Sequence, residues 1–384
     1  MTIPNHKDVF QLLIAGILNA SIDNWRNTNL PFLQQAINQL ACLLALQGKD
    51  IPNSPNDWLD LFEKPIDKWW PGEICELDLE NNLQMIYDGQ PEDWLIEYFD
   101  SRNIDLSRLG HTLTSFRSEI DQSEINTLRQ WCKDNNQSLV YSAYREFLIR
   151  NPWTTITELG NFMVQFNIKV PILIQSFFEE PRSEHYHGGK LWQCPNCGGI
   201  LRWQFDRPYC VRHTVCSRIT SNYNSRLPID QDPYLRILKY GSHLRTCVPG
   251  IPEIKLFDIC RELPGVGSVQ LWPGYDAYDL RINFTNGRSW AVDVKDVSDQ
   301  GTLRHTIDKS LGGLLLTRSS DDLGWERAFY VIPDYRVEWN PGYQEIARSD
   351  QFNKDVKLIT SSQIVKMIKT NFGQSINHDI SVGG

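Results

Sequence analysis

Two runs of alternating polar and apolar side chains, residues 278–284 and 289–295, constrain the fold of this chain more than any other feature. Alternation with a period of two is the pattern of a β-strand that has one buried and one polar face. Asn286-Gly287 lies between the runs and is the strongest short signal for a hairpin turn. The pattern therefore predicts two antiparallel strands joined by a short turn, with their polar faces on one side of a sheet.

The polar faces of this predicted hairpin carry two acids and a lysine. Asp279 lies on the first strand, and Asp293 and Lys295 lie at the end of the second. Carboxylates are preferred ligands of Mg²⁺, and the backbone carbonyl of Val294 would supply a further oxygen. A lysine in the same cleft can orient water and stabilise developing negative charge. The spacing predicts a Mg²⁺ or Mn²⁺ site suited to phosphodiester hydrolysis, with Asp279, Asp293 and Lys295 as catalytic residues.

Two further acids are candidates for the same site. Glu253 lies in a helix predicted over residues 251–263, and it is well placed to complete the metal or its water shell. Asp276 is a second candidate for the upstream acid, but it follows a Pro-Gly turn and lies outside the alternation. We therefore rank Asp279 above Asp276 and include Glu253 among the catalytic and metal-binding residues.

The tripeptide Asp-x-Lys is weak evidence when it stands alone. Residues 355–357 repeat Asp-Val-Lys, and residues 253–255 read Glu-Ile-Lys. The first precedes its predicted strand, and the second lies on a predicted helix. Only residues 293–295 close a strand that pairs with another strand carrying an acid. The alternative interpretation of Asp279 and Asp293 is that they are solvated surface acids.

Four of the nine cysteines are close together in the sequence: Cys194, Cys197, Cys210 and Cys216. The segment Cys-Pro-Asn-Cys-Gly-Gly that begins the group is a metal-binding knuckle, because its glycines permit the tight bend that turns two thiolates inward. A strand over residues 200–205 follows, so the layout predicts a zinc ribbon of knuckle, hairpin and second knuckle. Four thiolates complete a tetrahedral, structural Zn²⁺ site, with His213 as an alternative to Cys216 and four free thiols as the competing interpretation.

Charge is distributed unevenly along the 384 residues. Residues 1–180 carry 13 basic and 25 acidic side chains, and the remainder carries 25 and 22. A polyanion such as DNA would therefore meet the second part. Four arginines of the cysteine-rich region could contact phosphate or be ordinary surface charges: Arg202, Arg207, Arg212 and Arg218.

Composition and pattern predict a multi-domain α/β protein with three parts. Residues 1–180 are expected to form a mainly helical domain for partner docking or regulation, in which Trp69-Trp70 could be an exposed contact. Residues 181–248 hold the zinc-ribbon region, with a short helix over 232–240, and residues 249–384 hold the hairpin. No apolar run is long enough for a membrane helix, and no secretory signal is evident, so we expect a cytoplasmic protein.

The hairpin lies in a predicted order of helix, three strands, helix and strand, which is the αβββαβ order of the restriction-endonuclease-like core. Residues 249–253, 271–279 and 290–296 resemble the PD-(D/E)XK superfamily of nucleases. Within it, the chain resembles the nuclease associated with prokaryotic PIWI-RE proteins. The resemblance implies a Mg²⁺-dependent DNA endonuclease that works with a PIWI-RE protein and a helicase in defence against phage or plasmids. The chain departs from the superfamily motif in that Ala277-Tyr278, and no proline, precede Asp279.

Two other functions remain open at this point. A degraded nuclease fold with a zinc ribbon could serve as an inactive DNA-binding or scaffold subunit, although the intact acids and lysine favour an enzyme. A nuclease for RNA or for DNA junctions would use the same phosphate chemistry. Cleavage of both DNA strands usually needs two active sites, and a homodimer is one assembly that would supply them.

Overall fold

The computed structural model describes residues 4–23, 31–77, 79, 82–102, 123–168, 174–204, 206–220, 226–230, 232–340, 343 and 356–372. The chain is of the mixed α/β class, as expected, with several sheets among its helices. It divides into two compact units. The first comprises residues 1–120, 212–224 and 297–305, and the second comprises residues 121–211, 225–296 and 306–384. Among the described residues, no helix is long and apolar enough to cross a membrane.

The first unit is mainly helical. Its elements are α1 (His6–Asp23), α2 (Pro31–Leu46), α3 (Pro55–Phe62), β1 (Ile86–Tyr87), β2 (Gln90–Pro91), α4 (Trp94–Arg102) and, later in the chain, α8 (His213–Ile219). Trp69 and Trp70 are buried, with 4% and 2% of their surface exposed, and Phe10 contacts Trp70 edge to face. The possibility that this pair is an exposed partner contact was therefore wrong, because both rings pack in the interior of this unit.

The second unit contains three helices that precede the cysteine-rich region: α5 (Ser123–Asp134), α6 (Ser138–Arg150) and α7 (Ile156–Gln165). Contacts group these helices with the strands of the predicted hairpin, so this division of the chain differs from the expected boundary at residue 180. Side chains of α6 such as Tyr144 and Leu148 belong to the same apolar core as Ile282 and Val292 of the hairpin strands. The reason is that α6 presents a continuous apolar stripe, which needs a sheet to cover it.

Three small sheets surround the cysteine-rich region. Their strands are β3 (Trp153–Thr155), β4 (Phe178–Glu179), β5 (Tyr186–His187), β6 (Lys190–Gln193), β7 (Arg202–Gln204), β8 (Arg207–Tyr209), β9 (Leu227–Ile229) and β10 (Leu235–Leu238). The short helix expected over residues 232–240 was wrong. Leu235 and Ile237 point into a small apolar core, because β10 is the central strand between β3 and β4.

The main sheet has five strands in the order β11-β12-β13-β14-β15. Its elements are α9 (Val248–Cys260), β11 (Val266–Leu271), β12 (Leu280–Phe284), β13 (Ser289–Val294), α10 (Gln300–Thr317), β14 (Arg327–Ile332), α11 (Asp334–Trp339), β15 (Val356–Thr360) and α12 (Ser361–Phe372). The first three strands are antiparallel, and β14 and β15 run parallel to β13. The turn between β12 and β13 has Gly287 at φ 83°, a conformation that glycine adopts without a steric cost.

Helix α9 begins before the predicted first residue, Ile251. Helical backbone already starts at Tyr240–Ser242 and passes through a π-helical segment, His243–Cys247, into α9. Pro249 and Pro252 have no backbone N–H to donate within this stretch. The wider π turn, in which Val248 N–H reaches the carbonyl of His243, accommodates this irregular hydrogen bonding. Pro252 therefore lies inside the helix, where the sequence suggested a helix start.

Candidate active site

The end of the central hairpin brings the two predicted acids close together. Leu280 pairs with Val292 in the last step of the strand ladder, and Asp279, which the sequence placed on this strand, is the residue just before β12. Its N–H donates to Val292 O at 3.0 Å, one position short of Asp293. The negative charge of Asp293 nevertheless acts on Asp279, so the structure groups the two carboxylates that the sequence pattern selected.

The carboxylate of Asp279 is held against the backbone of β13. Its Oδ2 accepts a hydrogen bond of 2.6 Å from Val294 N–H, and its own N–H donates to Val292 O at 3.0 Å. Asp279 and Asp293 are both buried, with 7% and 8% of their surface exposed. Burial, followed by the negative charges of Glu253 and Asp293, raises the pKa of Asp279 well above its usual range. These acids are crowded enough to repel each other, which is a condition that a bound cation relieves.

Lys295 lies at the same end of the hairpin, directly after β13. Its Nζ lies 2.5 Å from Oδ1 of Asp293, and 15% of its side chain is exposed. Burial acts against its charged form, but the negative charges of Asp293 and Asp279 outweigh burial and raise the pKa of Lys295. The ammonium group is therefore charged at neutral pH and lies beside the acids, where it can meet an anionic substrate.

Glu253 reaches the same region from α9, but other side chains already hold it. Arg145 Nη2 lies 3.2 Å from its Oε1 and 3.1 Å from its Oε2, and Trp272 Nε1 donates to Oε2. Only 4% of Glu253 is exposed. Burial is the largest cause that raises its pKa to about 7, while the charge of Arg145 opposes the rise and that of Asp276 adds to it. With both oxygens in hydrogen bonds, Glu253 is fixed in orientation next to Asp279 and Asp293.

Asp276 lies on the short helical turn Pro273–Asp276 and pairs with the same arginine. Its Oδ1 forms an ion pair with Arg145 Nη1, and Tyr141 Oη donates to its Oδ2 at 3.3 Å. The backbone of Asp276 has φ 75°, and Trp272 before the turn has φ 46°. A residue other than glycine rarely adopts this left-handed backbone conformation unless the surrounding structure holds it there. Asp276, which ranked below Asp279 in the sequence analysis, is thus joined to the cluster by its ion pair with Arg145 and does not lie on the hairpin.

Sequence reasoning missed Arg145 and Trp272. Arg145 lies on α6 and is 7% exposed, and its guanidinium lies 4.5 Å from the centre of the Trp272 ring. A signal for Arg145 was present, since Tyr141, Tyr144 and Leu148 flank it at helical spacing and place it on an apolar stripe. An arginine is almost never buried without a charged partner, so this position indicated an ion pair. Nothing in the sequence around Trp272 marked its indole as a hydrogen-bond donor to Glu253.

The competing Asp-x-Lys and Glu-x-Lys tripeptides do not reproduce this arrangement. Lys255 is exposed on α9, although Glu253 is buried, and Lys357 is exposed on β15. Asp355 lies outside the described residues. Among the lysines of the three tripeptides, Lys295 is the one whose ammonium group contacts a buried acid.

The four cysteines of the predicted zinc site converge. Their sulfur atoms all lie within 4.8 Å of one another, and all four residues are buried. Cys194 and Cys197 form the expected knuckle, in which Cys194 N–H donates to Gly199 O at 2.8 Å and Gly198 has φ 71°. This cluster is compatible with a tetrahedral zinc ion.

The second half of the cysteine cluster differs from the expected ribbon. Cys210 follows β8, but Cys216 lies on α8 and not in a second knuckle. His213 is not part of the cysteine cluster, because its Nε2 lies 3.2 Å from Asp88 Oδ2. Among the described residues, the fourth thiol thus comes from a helix, and the alternative with His213 in its place is not the arrangement found.

Two of the four arginines proposed as phosphate contacts are engaged with acids. Arg212 Nε lies 3.5 Å from Asp93 Oδ2, and Arg218 forms an ion pair with Glu92. Arg212 is 6% exposed. These two guanidinium groups are neutralised within the first unit, so they are poorly suited to bind a polyanion.

A comparison with protein-family models matched one segment of the chain. Residues 250–375 match the family model described as "REase associating with pPIWI_RE". The resemblance to the nuclease of pPIWI_RE modules, which the sequence motifs indicated, is thereby confirmed for this segment. Comparisons with curated proteins and with solved structures gave no match. The matched segment contains all of α9 except its first two residues, the whole main sheet and α12, and it includes all of the predicted catalytic residues.

Proposed function

We propose that this protein is a metal-dependent DNA endonuclease with a PD-(D/E)XK-type active site. The observation that carries the proposal is the grouping of Asp279, Asp293 and Lys295 at the end of the central hairpin, where Asp279 is bonded to Val294 N–H and Lys295 Nζ lies 2.5 Å from Asp293. The αβββαβ order of elements and the match of residues 250–375 to a restriction-endonuclease-type family support it. Buried acids grouped with one lysine are costly for a fold to maintain unless they bind a cation.

The residues present fit a hard divalent cation. Asp279, Asp293 and the backbone carbonyl of Val294 are the proposed Mg²⁺ or Mn²⁺ ligands, because oxygen donors suit these ions. Glu253 completes the metal or its water shell, and its bonds to Arg145 and Trp272 favour the water shell. The ion, when bound, polarises the phosphodiester and lowers the pKa of a water molecule. Lys295 orients that water and stabilises the negative charge that develops on the phosphate.

A second, structural metal is proposed at the cysteine cluster. Cys194, Cys197, Cys210 and Cys216 supply four thiolates, which is the ligand set of a closed zinc site with no open position for a substrate. Zinc at this position would stabilise the fold and take no part in hydrolysis.

The biological setting follows from the family description. A protein described as associating with pPIWI_RE is expected to act with a PIWI-RE protein. We extend this to a defence module against phage or plasmids that includes a helicase. DNA would be bound by the more basic second part of the chain, and cleavage of both strands would use a homodimer with two active sites.

Plasmid cleavage in Mg²⁺ or Mn²⁺, with partner proteins present and absent, tests the proposal. We expect the wild-type chain to nick or cut the plasmid. Asp293→Ala should lower the rate of plasmid cleavage by roughly a hundredfold or more. Equal cleavage by both proteins would reject the assignment of the site. If the wild type cuts under none of these conditions but binds the plasmid, the chain is an inactive DNA-binding or scaffold subunit. A substrate panel of single-stranded RNA and branched DNA identifies a different nucleic-acid preference.

Two lysines that each follow an Asp-Val pair give a matched control. Lys295→Met removes the ammonium group beside Asp293 and should reduce cleavage by roughly a hundred- to a thousandfold. Lys357→Met makes the same change at an exposed position on β15 and should leave cleavage at the wild-type rate. Equal losses in both variants would indicate that general positive charge, and not the position of Lys295, supports the activity.

A further inference from the structure

Arg145 lies between two carboxylates, those of Glu253 and Asp276. Arg145 donates from Nη2 to both oxygens of Glu253, at 3.2 and 3.1 Å, and from Nη1 to Asp276. Its side chain is 9% exposed, and that of Glu253 is 5% exposed. A planar guanidinium between two carboxylates satisfies them through fixed, directional bonds and does not lose its charge. These two acids therefore already have a permanent counter-ion.

Arg145 is also held in place by the Trp272 ring. Its guanidinium lies over the Trp272 ring at 4.5 Å, and Trp272 in turn donates to Glu253. Among the described residues, Arg145 Nε is buried without a hydrogen-bond partner, so the two acids decide its orientation. Arg145 lies on α6, outside the segment that matches the nuclease family. The helices that precede the cysteine-rich region thus contribute a charge to the candidate active site.

The formal charges of the cluster indicate how many divalent ions it can hold. Its acids are Glu253, Asp276, Asp279 and Asp293, and its cations are Arg145 and Lys295. With all four acids deprotonated, the six side chains sum to two negative charges, which one divalent ion would neutralise. Without Arg145 the same acids would leave three negative charges, with two carboxylates released next to the metal-binding pair.

We propose that Arg145 limits this active site to a single divalent cation by holding Glu253 and Asp276 as its own ion partners. The inference rests on the proposed function, because it assumes that Asp279 and Asp293 bind the catalytic metal. Arg145 is a positioning residue, since it contacts the acids and neither the substrate nor the metal. Glu253 would then act on water at the metal site from a fixed position and would not bind a second ion.

The number of Mn²⁺ ions bound by the full-length, zinc-loaded chain tests this proposal, because electron paramagnetic resonance detects free Mn²⁺ whether or not zinc is present. We expect one Mn²⁺ for the wild type and two for Arg145→Met. Arg150→Met is the matched control, since Arg150 lies on the same helix and pairs with Glu146 and Asp258 at the surface. The Arg150→Met variant should bind one Mn²⁺ ion. Two ions in the wild type, or one ion with unchanged affinity in Arg145→Met, would overturn the proposal.

A second pair of variants decides the matter if Arg145→Met does not fold. Glu253→Gln leaves Arg145 only half neutralised, and we expect its Mn²⁺ affinity to fall by about tenfold or more. Arg145→Met combined with Glu253→Gln restores the charge balance and should bind one Mn²⁺ within about threefold of the wild-type affinity. A double variant that binds as weakly as Glu253→Gln contradicts the role of Arg145.

The same titration separates this inference from the proposed function. If Asp279→Asn binds Mn²⁺ as well as the wild type does, or if the wild type binds none, the metal site itself is rejected and the inference fails with it. If Asp279→Asn loses the ion while Arg145→Met still binds one with wild-type affinity, the metal site stands and only the role of Arg145 is rejected.

Discussion

The backbone N–H of Val294 donates a 2.6 Å hydrogen bond to Oδ2 of Asp279 across the two central strands. This bond holds the Asp279 carboxylate beside the residue that separates Asp293 from Lys295. An asparagine oxygen accepts the same bond, whereas an alanine side chain cannot. The structural role of Asp279 as an acceptor can therefore be separated from the role of its negative charge.

Asp279→Asn should make the protein more stable when no divalent cation is present. Burial and the charges of Glu253 and Asp293 raise the pKa of Asp279, so its ionised form destabilises the folded chain. We expect the variant to raise the Tm in Mg²⁺-free buffer by roughly 2–4 °C while plasmid cleavage is lost. Mg²⁺ should raise the Tm of the wild type and leave that of the variant unchanged in calorimetry. Asp279→Ala loses the Val294 bond and serves as the control, and a lower Tm for the asparagine variant would argue against charge repulsion.

The stability of the metal-free protein should fall as pH rises through the titration range of Glu253. Its pKa is about 7 in the folded chain, against an ordinary value of 4.5. Between these values the folded state binds more protons than the unfolded state, so the contribution is most favourable at low pH and is lost as pH rises toward 7. The difference in stability between wild type and Glu253→Gln should change by up to about 1.4 kcal/mol per pH unit in this window. Thermal unfolding followed by tryptophan fluorescence measures it, and a difference independent of pH would contradict the assignment.

Zinc content should depend on the four cysteines and not on His213. The purified wild-type chain is expected to hold one zinc, since four thiolates complete a tetrahedral site. Cys194→Ser should reduce the zinc content to near zero and lower the Tm, because a structural zinc stabilises the fold that surrounds it. His213→Ala should retain one zinc, because His213 contacts Asp88. Elemental analysis by mass spectrometry gives both values, and loss of zinc in the histidine variant would restore His213 as a ligand.

The central hairpin was predictable because its signals are local. Alternation of side chains indicates the polar face of the hairpin, and the Asn-Gly turn sets the register that pairs Leu280 with Val292, next to Asp279 and Asp293. The order of helices and strands around it follows from periodicity in the same way. Each of these signals acts over a few residues, so a single sequence is enough to read them.

Contacts between distant segments were the part that sequence reasoning could not reach. Arg145 and Glu253 are separated by 108 positions, and no local rule pairs one buried arginine with one of many acids. The helical position of Cys216 was missed because cysteine spacing predicts ligands but not the backbone that carries them. The early start of α9 was hidden because prolines usually mark a helix start, whereas here a π turn carries the helix through them.

A pair of glycine substitutions tests the packing of the cysteine knuckle against the helix that leads to α9. A Cβ at Gly199 would lie 1.8 Å from Cε1 of His243, which is buried in the π-helical segment, so the knuckle or the helix would have to move. We expect Gly199→Ala to cost about 1–3 kcal/mol of stability and to weaken zinc retention. Gly160 lies inside α7 with open space around its Cβ position, so Gly160→Ala should be neutral or stabilising by up to about 1 kcal/mol. Thermal unfolding and zinc release during a chelator titration measure both variants. Equal Tm values for the two would show that the knuckle does not pack closely on His243.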